Sequence, residues 1–158
     1  MEGTTDVQAP VARSLPRIGD PAPQFTADTT FGTLKLDDFA ISWLILFSHP
    51  PDFTPVCTTE LGYMARLKPE FDKRNCKIIG LSVDGVTDHA AWSKDIEASQ
   101  GQAPNYPLIG DPSLDIAMLY DMLPAGAGET SEGRTAVDNA TVRTVFLIGP
   151  DKKIKLSL

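Results

Sequence analysis

Residues 43–83, WLILFSHPPDFTPVCTTELGYMARLKPEFDKRNCKIIGLSV, decide the fold that this sequence predicts. Trp43 to Phe47 is a continuous apolar run of strand length, which is typical of a strand covered on both faces. The prolines at positions 50, 51 and 55 force a loop after it, and a helix is expected from Pro55 onward with a kink at Pro69. A second buried strand over Lys77 to Val83 completes a strand–helix–strand unit.

The segments on either side extend this unit into a larger sheet. A hairpin precedes it, a second helix and a third strand follow it, and a second hairpin closes the chain. This order predicts an α/β protein with a thioredoxin-like fold, in which a mixed central β-sheet is flanked by helices. The remaining predicted elements are strands at Gln24–Ala27, Leu34–Leu36, Leu108–Ile109, Val142–Ile148 and Lys153–Leu158, helical segments at Asp37–Phe39, Thr87–Ser99 (capped by Thr87) and Ser113–Leu119, a loop at Pro124–Asn139 and a turn at Gly149–Lys152.

Length and composition are those of one ordinary domain. We place that domain at residues 18–158, after an irregular arm at residues 1–17. A formal net charge of −7 without a basic run argues against a nucleic-acid partner. The longest apolar run, residues 43–47, is far short of the ~20 residues that a membrane-spanning helix needs, and the first twenty residues lack the apolar block of a secretory signal. We therefore expect a cytoplasmic protein without a membrane span.

The sequence contains two cysteines, Cys57 and Cys76, and two histidines, His49 and His89. These are too few for a disulfide framework or a convincing zinc site, so we expect neither a metal nor a cofactor. Only a thiolate is a useful nucleophile, and a helix N-terminus favours it because free N–H groups and the helix dipole stabilise an anion there. Cys57 falls in the first turn of the predicted helix, which makes it the candidate nucleophile.

The residues just before Cys57 can support a reaction with a peroxide. Such a reaction needs the O–O bond held in line with the sulfur, and donors for the negative charge that develops on the departing oxygen. Thr54 can supply a hydroxyl, and it can also cap the helix. Pro50 can stiffen the approach loop and shield the sulfur from bulk water.

The spacing Pro50-x-x-x-Thr54-x-x-Cys57 reproduces the active-site motif of the peroxiredoxins, and residues 47–60 are similar to the one-cysteine (1-Cys) subgroup of that family. The resemblance continues through residues 71–75, 81–84, 91–95 and 149–153, and so covers about Ile18 to Leu158. It implies a thiol-dependent peroxidase of antioxidant defence and redox homeostasis that reduces hydrogen peroxide or an organic hydroperoxide. Cys57 would become a sulfenic acid, which an external thiol reductant would restore. A homodimer or higher homo-oligomer is also implied.

Other residues are candidates for supporting roles. The resemblance implies that Arg143 lies by the sulfur and polarises the peroxide, and an arginine in an otherwise apolar strand needs an anionic partner such as a thiolate. Glu60, at about the third helical position, is expected to support the helix dipole or cap and to act on the chemistry only indirectly. His49 is either a hydrogen-bonding neighbour of the active loop or a satisfied core histidine. Cys76 is expected to be a packed thiol and not a resolving partner.

Three alternative activities fit the sequence less well. A dithiol oxidoreductase shares the topology, but the residues after Cys57 leave no C-x-x-C pair. Some 1-Cys peroxiredoxins hydrolyse phospholipids with a Gly-Asp-Ser-Trp-Gly motif and an upstream histidine. Here the corresponding residues 40–44 read AISWL and Asp37 replaces the histidine, so Ser42 has no evident base. The remaining alternative is a non-enzymatic chaperone or redox-sensing interaction module on the same fold.

Compared with the family, the sequence is predicted to lack the C-terminal helix that covers one face of the sheet, together with the C-terminal arm, because it ends at Leu158. Two explanations stand side by side. The sequence is a truncated or cleaved form, or that face of the sheet is covered by another subunit.

Overall fold

The computed structural model describes residues 15–49, 55–123 and 143–158, except for the side chains of residues 55 and 56. The described elements are strands β1 (Thr26–Thr29), β2 (Gly32–Lys35), β3 (Trp43–Ser48), β4 (Cys76–Ser82), β5 (Leu108–Gly110), β6 (Val145–Ile148) and β7 (Ile154–Ser157), helices α1 (Pro55–Lys73), α2 (Val86–Gln100) and α3 (Asp115–Leu119), and a 3-10 turn at Leu36–Phe39.

The strands form a single mixed sheet in the order β2-β1-β5-β4-β3-β6-β7. The central strands β3, β4 and β5 are parallel, while β1 and β6 pair with their neighbours in antiparallel fashion. Parallel neighbours need a crossover connection, which α1 supplies between β3 and β4 and α2 between β4 and β5. This arrangement confirms the predicted mixed central sheet flanked by helices.

The hydrophobic core lies in two layers, one on each face of the sheet. Side chains of β4 enter both layers, because successive residues of a strand point to opposite faces: Ile78 packs with α1 and α2, and Ile79 packs with α3 and the first hairpin. On β3 the two faces differ. Leu44 and Leu46 are fully buried, whereas Ile45 and Phe47 are half-buried. The prediction that β3 is covered on both faces is therefore wrong for the face that looks toward α1.

Helix α1 is continuous through Pro69, and a side chain replaces the hydrogen bond that this proline cannot donate. In a regular helix the carbonyl of Ala65 would accept from the N–H of residue 69, which proline lacks. Asn105 Nδ2 donates to Ala65 O at 3.1 Å instead. Further toward the N-terminus, Gly62 lets α2 approach closely, because a Cβ at this position would lie 2.7 Å from Gln100 Cβ. Close packing against α2 therefore supports the helix that carries Cys57.

Several predicted boundaries differ from the structure. Thr87 is not the cap of α2: the helix begins one residue earlier, and the residue before it, Gly85, has extended backbone and makes no side-chain cap bond. Helix α3 begins at Asp115 and not at Ser113, after Leu114 in a left-handed conformation. Strand β6 begins at Val145 and not at Val142, which lies outside the described residues, as does the loop predicted at 124–139. Most other boundaries shift by one or two residues, and the irregular arm at residues 1–17 stays a prediction.

A buried carboxyl group gives the fold a testable pH dependence. Asp111 follows β5 and is 3% exposed, and it accepts hydrogen bonds from the N–H groups of Ile116 and Ala117 at the start of α3. Burial raises the pKa of Asp111 to about 6 against a usual 3.8, and the two N–H donors offset this only in part.

We expect Asp111 to make the protein more stable as the pH falls from about 6 to about 4. The folded state takes up a proton in this window before the unfolded state does, so the contribution is fully present below the unfolded pKa and is lost as the pH rises through the folded one. A separation of about two pH units corresponds to about 3 kcal/mol. Urea unfolding of the wild type and of Asp111→Asn isolates the contribution of Asp111 to stability, because the other carboxyl groups are common to both. A difference in unfolding free energy that does not change between pH 4 and pH 6.5 would contradict the assignment.

Candidate active site

The site is built where β3 ends and α1 begins, at the carboxyl edge of the parallel strands. Cys57 is the third residue of α1, so it lies in the first turn, as predicted. The N–H groups of a first turn have no acceptors within the helix, and together with the helix dipole they favour an anion at this end. Proline suits the first helical position because it has no N–H to leave unsatisfied, and α1 begins with Pro55.

The Cys57 side chain is held in the core layer between the sheet and the two long helices. It is 1% exposed, and its cluster includes Leu61 and Ala65 on the same face of α1 and Trp92 on α2. This burial restricts the sulfur to small reagents.

Arg143 reaches the sulfur from the other side. Its Nη2 donates to Cys57 Sγ at 3.3 Å, although 86 residues separate the two in the sequence. The backbone next to Arg143 is fixed by the end of β3: Ser48 N donates to Thr144 O at 2.9 Å, and Thr144 N donates to Ser48 Oγ at 3.0 Å. Arg143 precedes β6 and does not lie inside a strand, which corrects the predicted strand boundary. The structure thus brings Cys57 and Arg143 together.

Glu60 forms an ion pair with Arg143 through Oε2 and Nη1. The hydrogen bond that Arg143 donates to Glu60 and, after it, the charge of the Cys57 sulfur raise the pKa of the Arg143 guanidinium, while burial opposes this. Glu60 is the sixth residue of α1, and the first turn of α1 contains no acidic residue, so the prediction of dipole or cap support is wrong. The carboxylate instead holds one edge of the guanidinium while the other edge faces the sulfur.

His49 lies directly after β3 in a buried aromatic cluster. It is 2% exposed, and its ring centroid is 5.4 Å from that of Trp92 and 5.6 Å from that of His89. The imidazole of His89 is hydrogen-bonded through Nε2 to Ile109 O at 2.8 Å. Both histidines therefore lie in the core beneath the site, and a chemical role for His49 stays a prediction.

Thr54 and Pro50, the two remaining candidates, lie outside the described residues. Their predicted roles as hydroxyl donor and as shield of the sulfur stay predictions.

A furrow of about 510 Å³ lies against the half-buried face of β3 and β6, and Arg143 and Glu60 are the charged residues that line it. Its walls are mostly apolar and aromatic side chains of β3, α1 and β6. The residues that line it are Ile45, Phe47, Ser48, His49, Glu60, Leu61, Tyr63, Met64, Phe71, Arg143 and Val145. The site therefore has an apolar surface next to its charged end.

Cys76 and Cys57 lie at opposite ends of the central parallel strands. It is the first residue of β4 and pairs in register with Trp43, the first residue of β3, whereas Cys57 comes after the end of β3. The Cys76 side chain is 7% exposed, and burial raises the pKa of its thiol, which makes it a poorer nucleophile.

Ser42 stands at the position of the serine in the phospholipase motif from which residues 40–44 differ, and its hydroxyl makes structural contacts. Its Oγ donates to Asn75 Oδ1 at 3.3 Å, and Asn75 Nδ2 donates to Ile41 O at 2.9 Å. Asp37, which stands in the position of the upstream histidine, forms an ion pair with Lys152. These contacts fit the expectation that Ser42 is not set up as a nucleophile.

One contact of the site was not anticipated. Trp92 Nε1 donates to Thr58 Oγ1 at 2.9 Å, which ties α2 to the residue after Cys57. The sequence pattern predicts Trp92 only as a core residue, since nothing local signals a partner 34 residues away. The only signal in the sequence that could have indicated this hydrogen bond is the presence of a tryptophan in one predicted helix and of a hydroxyl residue in the other.

Comparison with known proteins places the chain in a family. A model described as the AhpC/TSA family matches residues 18–157. The chain is 54% identical over 147 residues to peroxiredoxin-6 of Rattus norvegicus, covering 89% of this chain and 63% of that protein. It is 48% identical over 151 residues to a 1-Cys peroxiredoxin of Dictyostelium discoideum, covering 95% and 58% respectively. The chain belongs to the AhpC/TSA family and, within it, to the peroxiredoxins.

Solved structures agree with this assignment. A yeast mitochondrial 1-Cys peroxiredoxin matches with a TM-score of 0.82 at 47% identity, over 91% of this chain and 67% of that one. A cysteine-to-serine variant of peroxiredoxin 6 from Arenicola marina matches with a TM-score of 0.79 at 44% identity, over 90% and 64%. The predicted thioredoxin-like fold and the resemblance to 1-Cys peroxiredoxins are confirmed.

The chain spans a little under two thirds of the length of the curated peroxiredoxin-6 relatives, 63% of the rat protein. Within the described ranges, no helix has the length and apolar character needed to cross a membrane.

Proposed function

We propose that this chain carries the catalytic domain of a thiol-dependent peroxidase that serves antioxidant defence and redox homeostasis. The observation that carries the proposal is the hydrogen bond of 3.3 Å from the Arg143 guanidinium to the sulfur of Cys57 in the first turn of α1. A guanidinium and a helix N-terminus converge on this one sulfur, and both interact favourably with negative charge. The comparisons favour no non-enzymatic alternative such as a chaperone.

In the proposed reaction, the Cys57 thiolate attacks the nearer oxygen of a hydroperoxide. The S–O bond forms as the O–O bond breaks, the sulfur is oxidised to a sulfenic acid, and the departing oxygen takes up a proton and leaves as water or an alcohol. Arg143 acts where negative charge grows on the departing oxygen, since a guanidinium offers several N–H donors in a fixed plane. Glu60 orients that plane through its ion pair.

Thr54 and Pro50 complete the proposed site by the family motif. The hydroxyl of Thr54 would donate to the peroxide and help to align it with the sulfur. Pro50 would limit the access of water. His49 would support the end of β3 from within its aromatic cluster, in which its ring is tilted by 44° relative to that of Trp92.

The furrow supports a substrate range that includes organic hydroperoxides. Hydrogen peroxide needs only the charged end of the site, whereas an organic hydroperoxide must also place an apolar group. Side chains such as Phe47, Met64 and Val145 line the furrow next to Arg143, and they offer such a group a surface away from water.

An external thiol is the proposed reductant, because the chain offers Cys57 no second thiol within reach. The yeast relative is described as being resolved via glutathione/thioredoxin systems. For this chain we propose the same chemical class, a small thiol or a thiol protein. It would attack the sulfenic acid and form a mixed disulfide with loss of water, and a second thiol would then release Cys57 as the free thiol and leave the reductant as a disulfide.

Replacement of Cys76 by serine is expected to leave the peroxidase cycle intact. The helical rise of ~1.5 Å per residue puts Cys57 and Cys76 on the order of 25 Å apart along α1, whereas a disulfide needs Cα atoms within about 7 Å. We expect Cys76→Ser to react with peroxide within a factor of two of wild type, as measured by stopped flow. Mass spectrometry after one equivalent of peroxide provides the second measurement: a dominant intrachain Cys57–Cys76 disulfide would refute the one-cysteine cycle, and excess peroxide should yield sulfinic acid at Cys57.

A homodimer or higher homo-oligomer in the cytoplasm completes the proposal. Strand β7 lies at the edge of the sheet and presents Leu156, which is 42% exposed, and Leu158 follows it at 73% exposure. Such an edge favours association with a second chain. Sedimentation analysis tests the assembly, and fractionation of cells tests the compartment, for which the mitochondrial yeast relative provides the competing location.

The decisive experiment follows peroxide loss by stopped flow with a sulfenic acid trap such as dimedone present. We expect rapid consumption of one equivalent and a dimedone adduct on Cys57. Peroxide consumption no faster than that of a free thiol, or an adduct located elsewhere, would overturn the proposed function.

A further inference from the structure

We propose that Trp92 is a positioning residue for Cys57 and acts through the side-chain hydroxyl of Thr58, an inference that rests on the proposed peroxidase function. The indole Nε1 donates to Thr58 Oγ1 at 2.9 Å, and Thr58 directly follows Cys57 in α1. Trp92 is 0% exposed and belongs to the same buried cluster as Cys57. The contact therefore fixes the N-terminal turn of α1 from the side of α2.

Other contacts from the same side explain why this one matters. Tyr106 Oη donates to Leu61 O at 3.1 Å, and Asn105 Nδ2 donates to Ala65 O at 3.1 Å. These bonds hold the middle of α1, but they lie one and two turns beyond Cys57. Of these three donors Trp92 on α2 is the one that reaches Thr58, whereas Asn105 and Tyr106 lie in the segment between α2 and β5.

The first turn of a helix, like the last, is prone to fray, because part of its backbone has no hydrogen-bond partner within the helix. Arg143 contacts the sulfur from one side, and it cannot by itself fix the backbone from which the sulfur projects. With Trp92 holding the turn through Thr58, the sulfur keeps a constant direction relative to the guanidinium. In-line attack on a peroxide depends on that direction, and small misplacements of reacting groups are costly in rate.

The indole is suited to this task because it is itself held in place. His49 lies with its ring centroid 5.4 Å from that of Trp92, so the indole plane is packed on the side of the aromatic cluster. A tryptophan N–H has one direction and no acceptor capacity, and a buried donor left without an acceptor is costly. The hydrogen bond to Thr58 is thus specific in orientation.

The test compares two small reagents on five variants of the chain. Trp92→Phe removes the donor and keeps an aromatic ring, Thr58→Val removes the acceptor at nearly constant shape, and Thr58→Ser retains the hydroxyl. The double variant Trp92→Phe/Thr58→Val tests whether both residues act through one contact. Trp43→Phe makes the same exchange at the far edge of the sheet and is the matched control. Hydrogen peroxide reports on the aligned site, whereas iodoacetamide needs only an accessible thiolate.

We expect Trp92→Phe and Thr58→Val each to slow the reaction of Cys57 with hydrogen peroxide about tenfold, and the double variant to be no slower than about twentyfold. Thr58→Ser and Trp43→Phe should stay within twofold of wild type. Alkylation by iodoacetamide should not fall by more than twofold in any variant, since a loosened turn does not hinder access.

A merely structural role would lower the melting temperature without changing the ratio of the two rates. The inference is overturned if Thr58→Val reacts with peroxide within twofold of wild type, if both reagents slow in parallel, or if the double variant loses about a hundredfold as two independent effects would. If the wild-type chain reacts with peroxide no faster than a free thiol, the proposed function fails together with the inference. If the wild type reacts rapidly and the variants do not differ as expected, only the role of Trp92 fails. Thr58→Val keeps the test valid if Trp92→Phe does not fold.

Discussion

Replacement of Cys57 by serine is expected to abolish peroxide reduction while the domain stays folded. Serine keeps the shape of the side chain, but its hydroxyl does not ionise near neutral pH, so the nucleophile is lost. The rate of peroxide loss in stopped flow should fall to the uncatalysed background. Arg143 can donate to the serine oxygen as it does to the sulfur at 3.3 Å, so the free energy of unfolding should change by only about 1 kcal/mol.

Cys76→Ser is the matched control for this experiment, because it makes the same exchange at the other buried cysteine. It should retain the peroxide reaction, and both variants should show the circular dichroism spectrum of the wild type. Turnover retained by Cys57→Ser would end the peroxidase assignment. If Cys57→Ser loses both its activity and the wild-type circular dichroism spectrum, the loss of activity reflects unfolding of the chain. Urea unfolding of both variants distinguishes this case from loss of the nucleophile in a folded domain.

Much of the fold could be predicted from the sequence because its elements have strong local signals. The apolar run that begins at Trp43 and the Pro-rich loop after it define β3 and the start of α1, and the structure has both. The open face of β3 could not be predicted in this way. Whether Ile45 and Phe47 are covered depends on which elements pack against that face, and an apolar run alone cannot distinguish one covered face from two.

The boundaries that were wrong have similar causes. A threonine near a helix start suggests a cap, but Gly85 supplies the extended backbone there, and so Thr87 lies inside α2. The strand predicted around Arg143 began too early, because the pairing of β6 with β3 cannot extend beyond the end of β3. The register of β6 with β3 begins at Val145 opposite Phe47, next to the end of β3 at Ser48.

At the site, the residues were predictable but most of their partners were not. Cys57 and Arg143 are recognised by motif and by resemblance. The pairs that hold them are distant in sequence: Thr58 and Trp92 are 34 residues apart, Glu60 and Arg143 are 83 apart, and Ser48 and Thr144 are 96 apart. Such pairs arise only when the sheet order places β6 beside β3 and α2 beside α1, which no local pattern specifies.

Substitution of Arg143 by methionine is expected to slow the reaction with peroxide by about two to three powers of ten. Methionine has a similar length, but it cannot donate to the sulfur or to the departing oxygen, and loss of one charge-stabilising donor has effects of this size. Stability should change little, because the Arg143 and Glu60 side chains are 48% and 51% exposed and an exposed ion pair contributes about 0 to 1 kcal/mol. Stopped-flow rates over a range of pH measure the effect.

Two companion variants make the result specific to the position of Arg143. Arg74→Met removes another arginine that pairs with a glutamate, Glu70, but at the far end of α1, and it should react like the wild type. Glu60→Gln keeps Arg143 and weakens its anchor, so its rate should lie between those of the wild type and Arg143→Met. A rate for Arg143→Met within a factor of two of wild type would mean that the contact with the sulfur has no part in the chemistry. Equal losses in Arg143→Met and Arg74→Met would point to a general charge effect instead. A large loss at Arg143 with an intermediate value at Glu60 is the pattern that a guanidinium held in one plane against the peroxide requires.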